Sequence, residues 1–124
     1  MSELAVLPAP NDALAAARTV LRRRANIARL SCLAVLAALN LADLWSTRFL
    51  LDRGGVEANP VMASVADSLL SGFAIKAVCL VAIAAVLLQF PAERRAPIAL
   101  LGGLIGWYGF VVAWNLHLAA SLPA

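Results

Sequence analysis

Three apolar stretches, each 21 or 22 residues long, run through this chain of 124 residues: Leu30–Leu51, Leu69–Phe90 and Ile98–Leu118. A helix rises about 1.5 Å per residue, so roughly 20 apolar residues cross the ~30 Å hydrocarbon core of a bilayer. The composition agrees, because 63% of the residues are hydrophobic and only 14% are charged. The sequence therefore predicts an all-α integral membrane bundle of three transmembrane helices, forming a single domain over residues 1–124.

Arginines cluster on one side of the predicted membrane. Five precede the first span, within the segment 1–29, and two lie between the second and third spans: Arg18, Arg22, Arg23, Arg24, Arg29, Arg94 and Arg95. Short loops rich in Lys and Arg remain in the cytoplasm. The pattern predicts a bacterial inner-membrane protein with a cytoplasmic amino terminus and an outer carboxyl terminus. No nucleic-acid partner is expected, because no aromatic interleaving or binding motif accompanies the net charge of +3.

The segments outside the spans carry helix signals. A cytoplasmic amphipathic helix is expected before the first span, either lying on the membrane surface or continuing into that span. Pro60 suits a first helical position, and the apolar pattern after it predicts a short outer interfacial helix over Val61–Ser68. Pro91 and Pro97 bracket the second loop, which predicts that the second and third spans form a tight hairpin.

Small residues recur at spacings of three and four on two of the spans. The first span carries Ala34, Ala38, Ala42 and Ser46, and the third carries Gly102, Gly106, Gly109 and Ala113. Lipid gives helices little hydrophobic reason to associate, so close backbone approach through small residues is the usual means. Two interpretations stay open: packing among the three spans, or contact with a membrane-protein partner or a second copy.

Polar residues interrupt the first and second spans at the same height. Asn40, Asp43 and Thr47 share one face of the first span. Counted from Leu30, Asp43 lies about 20 Å into the span, and Lys76 lies about 21 Å from Phe90 on the antiparallel second span. Because a lone charge costs roughly 2.5–3.5 kcal/mol there, we expect Asp43 and Lys76 to interact. The alternative is that Lys76 extends its ammonium outward to the membrane surface.

Further polar groups are expected near the outer ends of the spans, where Glu57, Asn59, Asn115 and His117 join the first set around a shallow outward-facing cavity. A metal site is not favoured, because the spacing matches no ligand motif and a lysine lies nearby, and no cofactor is implied. Three interpretations remain for this polar site: a buried network that fixes helix register, a proton relay or small-solute pathway, or an intramembrane enzyme.

The spacing Asn40-x2-Asp43-x3-Thr47, then Gly54-Gly55-x-Glu57-Ala58-Asn59-Pro60, then Lys76 resembles an uncharacterised DUF-type family of small polytopic bacterial and archaeal membrane proteins. The resemblance covers roughly Asn40 to Leu88. It implies a shared polar set of Asn40, Asp43, Thr47, Glu57, Asn59 and Lys76, and it supplies no activity.

Three functions follow from these patterns. The leading hypothesis is a non-enzymatic accessory or assembly subunit that docks on a larger membrane complex through its small-residue faces. The alternative is a small transporter or ion-linked component that uses Asp43 and Lys76, and an intramembrane enzyme is a third class.

Overall fold

The computed structural model describes residues 9–56, 60–63 and 68–122. It contains four helices within those ranges: α1 (Pro10–Leu51), α2 (Pro60–Ala63), α3 (Leu69–Leu87) and α4 (Ala96–Ser121). Three of them, α1, α3 and α4, are long and apolar enough to cross a membrane. The predicted all-α membrane architecture is therefore confirmed.

The boundaries differ from the predicted ones at a few ends. The second span ends at Leu87 rather than Phe90, and the third extends over Ala96–Ser121. α3 begins after Ser68, whose hydroxyl oxygen accepts a hydrogen bond from the Ser71 amide at 3.3 Å. The predicted outer helix begins at Pro60 as expected, and residues 64–67 of that segment lie outside the described ranges.

α1 is one continuous helix of 42 residues, about 63 Å long. The amphipathic segment thus continues into the first span instead of forming a separate surface helix. Its first half, over residues 10–28, is almost entirely exposed, and packing with the other spans begins at Arg29.

α1 ends in a glycine turn. Gly54 has a φ of +86°, a conformation that residues with a Cβ rarely adopt, and the Gly55 amide donates to the Leu50 carbonyl at 3.0 Å. A Cβ on Gly55 would lie 2.9 Å from the same carbonyl oxygen. Both glycines are therefore required to stop the helix at Leu51 and turn the chain.

α1 is the central helix of the bundle. Its buried residues are spaced three or four apart, the pattern of a coiled-coil seam, and they are Arg29, Leu33, Leu36, Asn40, Asp43, Ser46 and Leu50. α4 packs along most of this seam and α3 packs against part of it, whereas α3 and α4 make almost no close backbone approach to each other.

The predicted tight hairpin of the second and third spans is therefore wrong. The short proline-bracketed loop fixes only one end of the two helices, and lipid provides no force that draws their apolar faces together. The seam of α1 provides the packing instead, with a leucine core formed by Leu33, Leu36, Leu87 and Leu101.

Two arginines of α1 and its following turn hold the carboxyl ends of the other spans. The Arg29 guanidinium, 1% exposed, donates to the carbonyls of Phe90 and Pro91, both at 2.7 Å. At the opposite end, Arg53 donates to the Ala119 carbonyl at 3.0 Å. Ala119 lies in the last turn of α4, where carbonyls lack intrahelical partners and carry partial negative charge, so the Arg53 contact is favourable. Phe90 and Pro91 follow the end of α3, and Arg29 gives their carbonyls charged hydrogen-bond donors. We refer to these two ends of the bundle as the Arg29 end and the Arg53 end.

Candidate membrane-embedded binding site

The spans meet at an ion pair within the bundle. The Lys76 ammonium of α3 donates to Asp43 Oδ2 of α1, and the two side chains are 14% and 9% exposed. The antiparallel course of α1 and α3 brings the two residues level, as the depth count predicted. The predicted Asp43–Lys76 interaction is therefore present and direct.

Asn115 brings α4 into the same cluster. Its amide nitrogen lies 3.1 Å from Thr47 Oγ1, 3.3 Å from Ser46 Oγ and 3.5 Å from Asp43 Oδ1. Ser46 in turn donates to the Asp43 carbonyl at 3.1 Å. Since an amide nitrogen carries two hydrogens, Asn115 can satisfy two of these three oxygens at a time.

A cleft of about 500 Å³ lies between the spans at the Arg53 end. Its described lining includes two charged side chains, those of Asp43 and Lys76, together with Thr47 and Asn115. The remaining walls are apolar or aromatic: Leu44, Leu50, Leu51, Val56, Pro60, Trp107, Tyr108, Val111, Trp114 and Leu118. The volume and the few convergent polar groups are typical of small-molecule sites.

Lys76 also borders a second, apolar groove of about 210 Å³ between α1 and α3. The groove is lined by Ala37, Asn40, Leu41, Leu44, Phe73, Lys76, Ala77 and Leu80. On its other side, the Lys76 ammonium lies 5.4 Å from the centre of the Tyr108 ring. Lys76 thus stands between an aromatic, partly polar cleft and an almost wholly apolar groove.

The structure brings together part of the predicted polar site. Asp43, Thr47, Lys76 and Asn115 line the cleft. Asn40 is buried but turns to its own helix, where its amide donates to the Leu36 carbonyl at 2.9 Å. Glu57 and Asn59 lie outside the described residues, so their place in the site stays a prediction.

His117 does not join the cleft. It is exposed, and its ring centre lies 6.2 Å from that of Trp114. Two residues correspond to about 200° around a helix, so His117 points almost opposite to Asn115, which faces α1. The prediction of His117 as a site residue rested on its height in the membrane and was wrong, because the side chain points away from the cleft.

The composition of the site determines its chemistry. A carboxylate, an ammonium, an amide and hydroxyls can bind a polar or charged group through hydrogen bonds and ion pairs. Within the described part of the chain, no three His, Cys, Asp or Glu side chains gather as a metal site would require.

A family model for a domain of unknown function, DUF5658, matches residues 34–121. The chain belongs to this family. The predicted resemblance to an uncharacterised membrane family is thereby confirmed at the level of the family. Comparison with curated proteins and with solved structures found no match.

The DUF5658 region contains the whole described lining of both cavities, whereas the exposed first half of α1 largely precedes it. Asn115 was expected near the cavity from its height, whereas Tyr108 of α4, which also lines the cleft, was not. A signal for Tyr108 was present, because Leu101, Leu104, Tyr108, Val111 and Asn115 follow one another at spacings of three and four, which places Tyr108 and the Asn115 amide on the face of α4 that meets α1.

The small residues of the DUF5658 region divide between two environments. Ser46 is fully buried, whereas Ala34 and Ala38 are exposed and Ala42 is half-buried. On α4, a Cβ added at Gly102, Gly106 or Gly109 would meet nothing within 4 Å, and Ala113 is exposed. Ser46 is therefore packed between helices of the bundle, whereas the glycines of α4 have no close neighbours among the described residues.

Proposed function

We propose that this protein is a small transport component that binds a charged or zwitterionic solute at Asp43 and Lys76. The observation that carries the proposal is that this ion pair lines the cleft at the Arg53 end instead of being sealed between helices. A pair that only fixed helix register would be equally effective without a cleft of about 500 Å³ above it.

The surroundings of the pair favour exchange with a ligand. Ionisable residues inside membrane spans are costly and most often mark pathways for ions, protons or solutes. Asp43 and Lys76 neutralise each other as a pair, and a ligand that carries both charges can replace this contact without leaving either side chain unpaired. Asn115 and Thr47 add hydrogen-bonding groups beside the carboxylate.

A complete pathway requires more protein than these three spans. α3 and α4 make almost no close backbone approach to each other, so α1 provides most of the close helix packing around the cleft. We therefore place the chain within a larger membrane assembly, in the bacterial inner membrane, with the Arg53 end facing outward. The orientation follows from the arginines at the opposite end.

The test is ligand-dependent thermal stabilisation of the purified protein in detergent. Three probes are compared: choline as a cation, inorganic phosphate as an anion and glycerophosphoethanolamine as a zwitterion. We expect the zwitterion to raise the Tm of the wild type and to leave the Tm of the Asp43→Asn/Lys76→Gln double variant unchanged. The double variant is used because it leaves no unpaired buried charge.

The matched control is Arg48→Gln/Asp52→Asn, which removes an exposed ion pair near the end of the same helix. This control should respond to the zwitterion as the wild type does. Equal stabilisation of the Asp43/Lys76 double variant, or no stabilisation of the wild type by any of the three probes, would contradict the proposal.

A second candidate function, an accessory or assembly subunit, is favoured by the outward glycines of α4. A Cβ at Gly102, Gly103 or Gly106 would meet nothing within 4 Å, so this face is open to another helix. Such small-residue faces are typical of close contacts between membrane helices. The two functions are compatible, since Gly106 lies nine residues before Asn115, which places it about 180° around α4 from the amide that lines the cleft.

The assembly role is tested with Gly106→Leu, because leucine fits the monomer but blocks close helix approach. Co-purification of partner subunits, or the mass of the complex by light scattering, should fall relative to the wild type. Ala85→Leu, on an exposed position of α3, is the control. If Gly106→Leu leaves both readouts unchanged, α4 does not dock through this face.

A further inference from the structure

We infer that the ligand of the cleft is a zwitterionic phospholipid with an ammonium headgroup, held with one acyl chain in the apolar groove between α1 and α3. This inference rests on the proposed function and specifies its ligand. It follows from the charges of the cleft, from the position of the groove and from the depth of the site.

The charges of the cleft favour a ligand with both signs. Among the described residues that line the cleft, the charged side chains are Asp43, which is negative, and Lys76, which is positive. A ligand ammonium can pair with the Asp43 carboxylate while a ligand phosphate pairs with the Lys76 ammonium. A purely anionic or purely cationic ligand would leave one of the two side chains without its partner, which is costly inside a bilayer.

The groove gives the ligand its second, apolar part. Leu44 and Lys76 line both the cleft and the groove, so the two cavities adjoin at these residues. Ala37, Leu41, Phe73, Ala77 and Leu80 supply apolar surface beyond that junction. A molecule with a charged headgroup and a hydrocarbon chain fits a charged cleft that adjoins an apolar groove better than a free polar solute does.

The depth of the site suits a lipid drawn partly into the protein. Asp43 precedes the end of α1 at Leu51 by eight residues, which corresponds to about 12 Å along the helix. The cleft between this level and the Arg53 end is flanked by Trp114, which is 52% exposed and lies seven residues before the end of α4 at Ser121. Tryptophan is enriched where headgroups meet the hydrocarbon core, so this side chain suits the path of a headgroup.

The experiment titrates the full chain in detergent with phosphatidylethanolamine and follows bound lipid by native mass spectrometry. Phosphatidylglycerol, which is anionic, and diacylglycerol, which has no charge, are the comparison lipids. Ala77→Phe and Ala37→Phe each fill the groove from a different helix and leave the ion pair in place. Ala82→Phe, at an exposed position of α3 outside the described lining, is the control for the added ring.

We expect phosphatidylethanolamine to bind the wild type and Ala82→Phe alike. Each groove variant should weaken its binding by at least about tenfold, because several methylenes lose apolar contact. Soluble glycerophosphoethanolamine should still raise the Tm of the groove variants, by an amount within about twofold of the rise in the wild type. This headgroup has no acyl chain and does not use the groove. Using two groove variants keeps the test valid if one fails to fold.

Stronger binding of phosphatidylglycerol or diacylglycerol would overturn the inference, and so would lipid binding that both groove variants leave unchanged. In either case, stabilisation by the soluble zwitterion that depends on Asp43 and Lys76 would still support the proposed function. If the soluble zwitterion fails as well, the proposed function fails with the inference.

Discussion

Asp43 of α1 and Lys76 of α3, 33 residues apart in the chain, form a direct ion pair inside the spans. Around the same carboxylate, Asn115 of α4 approaches the second oxygen at 3.5 Å. All three spans therefore converge on one acidic side chain. Like the leucine core, this cluster is built from all three spans, so it contributes to both the stability and the chemistry of the bundle.

Replacing Asn115 should loosen the contact between α1 and α4. Asn115→Leu keeps the approximate side-chain volume but removes the donor shared by Thr47, Ser46 and Asp43. We expect a loss of about 1–2 kcal/mol in the free energy of unfolding, measured by denaturant titration in detergent. His117→Leu, two residues away and exposed, should change that free energy by less than about 0.5 kcal/mol. Equal effects of the two substitutions would mean that the amide contacts contribute nothing specific.

The Arg29 side chain should stabilise the end of the bundle where it binds the carbonyls that follow α3. Its guanidinium reaches the carbonyls of Phe90 and Pro91 and approaches that of Arg94 at 3.4 Å. Lysine carries all its donors on one nitrogen and cannot reproduce this planar fork, so Arg29→Lys should lower the free energy of unfolding by about 1.5–3 kcal/mol.

Arg24→Lys is the control for that comparison, because Arg24 belongs to the exposed first half of α1. It should leave the free energy of unfolding within about 0.5 kcal/mol of wild type. If Arg29→Lys proves equally mild, the guanidinium fork does not hold the end of α3.

The orientation in the membrane is testable by cysteine labelling. Cys32 and Cys79 are replaced by alanine, and single cysteines are introduced as Val56→Cys near the Arg53 end or Arg94→Cys near the Arg29 end. A membrane-impermeant maleimide added to intact spheroplasts should modify position 56 and should modify position 94 only after lysis. The reverse labelling pattern would place the Arg53 end in the cytoplasm.

Much of the fold was predictable because the bilayer imposes simple rules. Span length and apolar composition gave three membrane helices, with Leu51 as the end of the first. Rise per residue gave the level of Asp43 and Lys76, since a straight helix converts sequence distance into depth. These two predictions needed no knowledge of how the helices pack.

What failed depended on direction around the helix and on tertiary contacts. His117 was judged by its depth, although its position two residues from Asn115 turns it away from α1. Arg29 was grouped with the other arginines as a topology signal, whereas it stands four residues before Leu33 on the buried seam. The hairpin prediction failed because a short loop does not specify which faces of two apolar helices meet.

The free-energy coupling between Asp43 and Lys76 decides whether the two charges form one site. It is measured with Asp43→Asn, Lys76→Gln and the double variant by reversible unfolding in detergent. Each single change leaves one unpaired charge inside the spans and should cost about 2–3 kcal/mol. The double variant should lose less than either single variant. The exposed Arg48–Asp52 pair, treated in the same way, should show a coupling below about 0.5 kcal/mol. Additive losses for Asp43 and Lys76 would show that the two charges do not form a shared site.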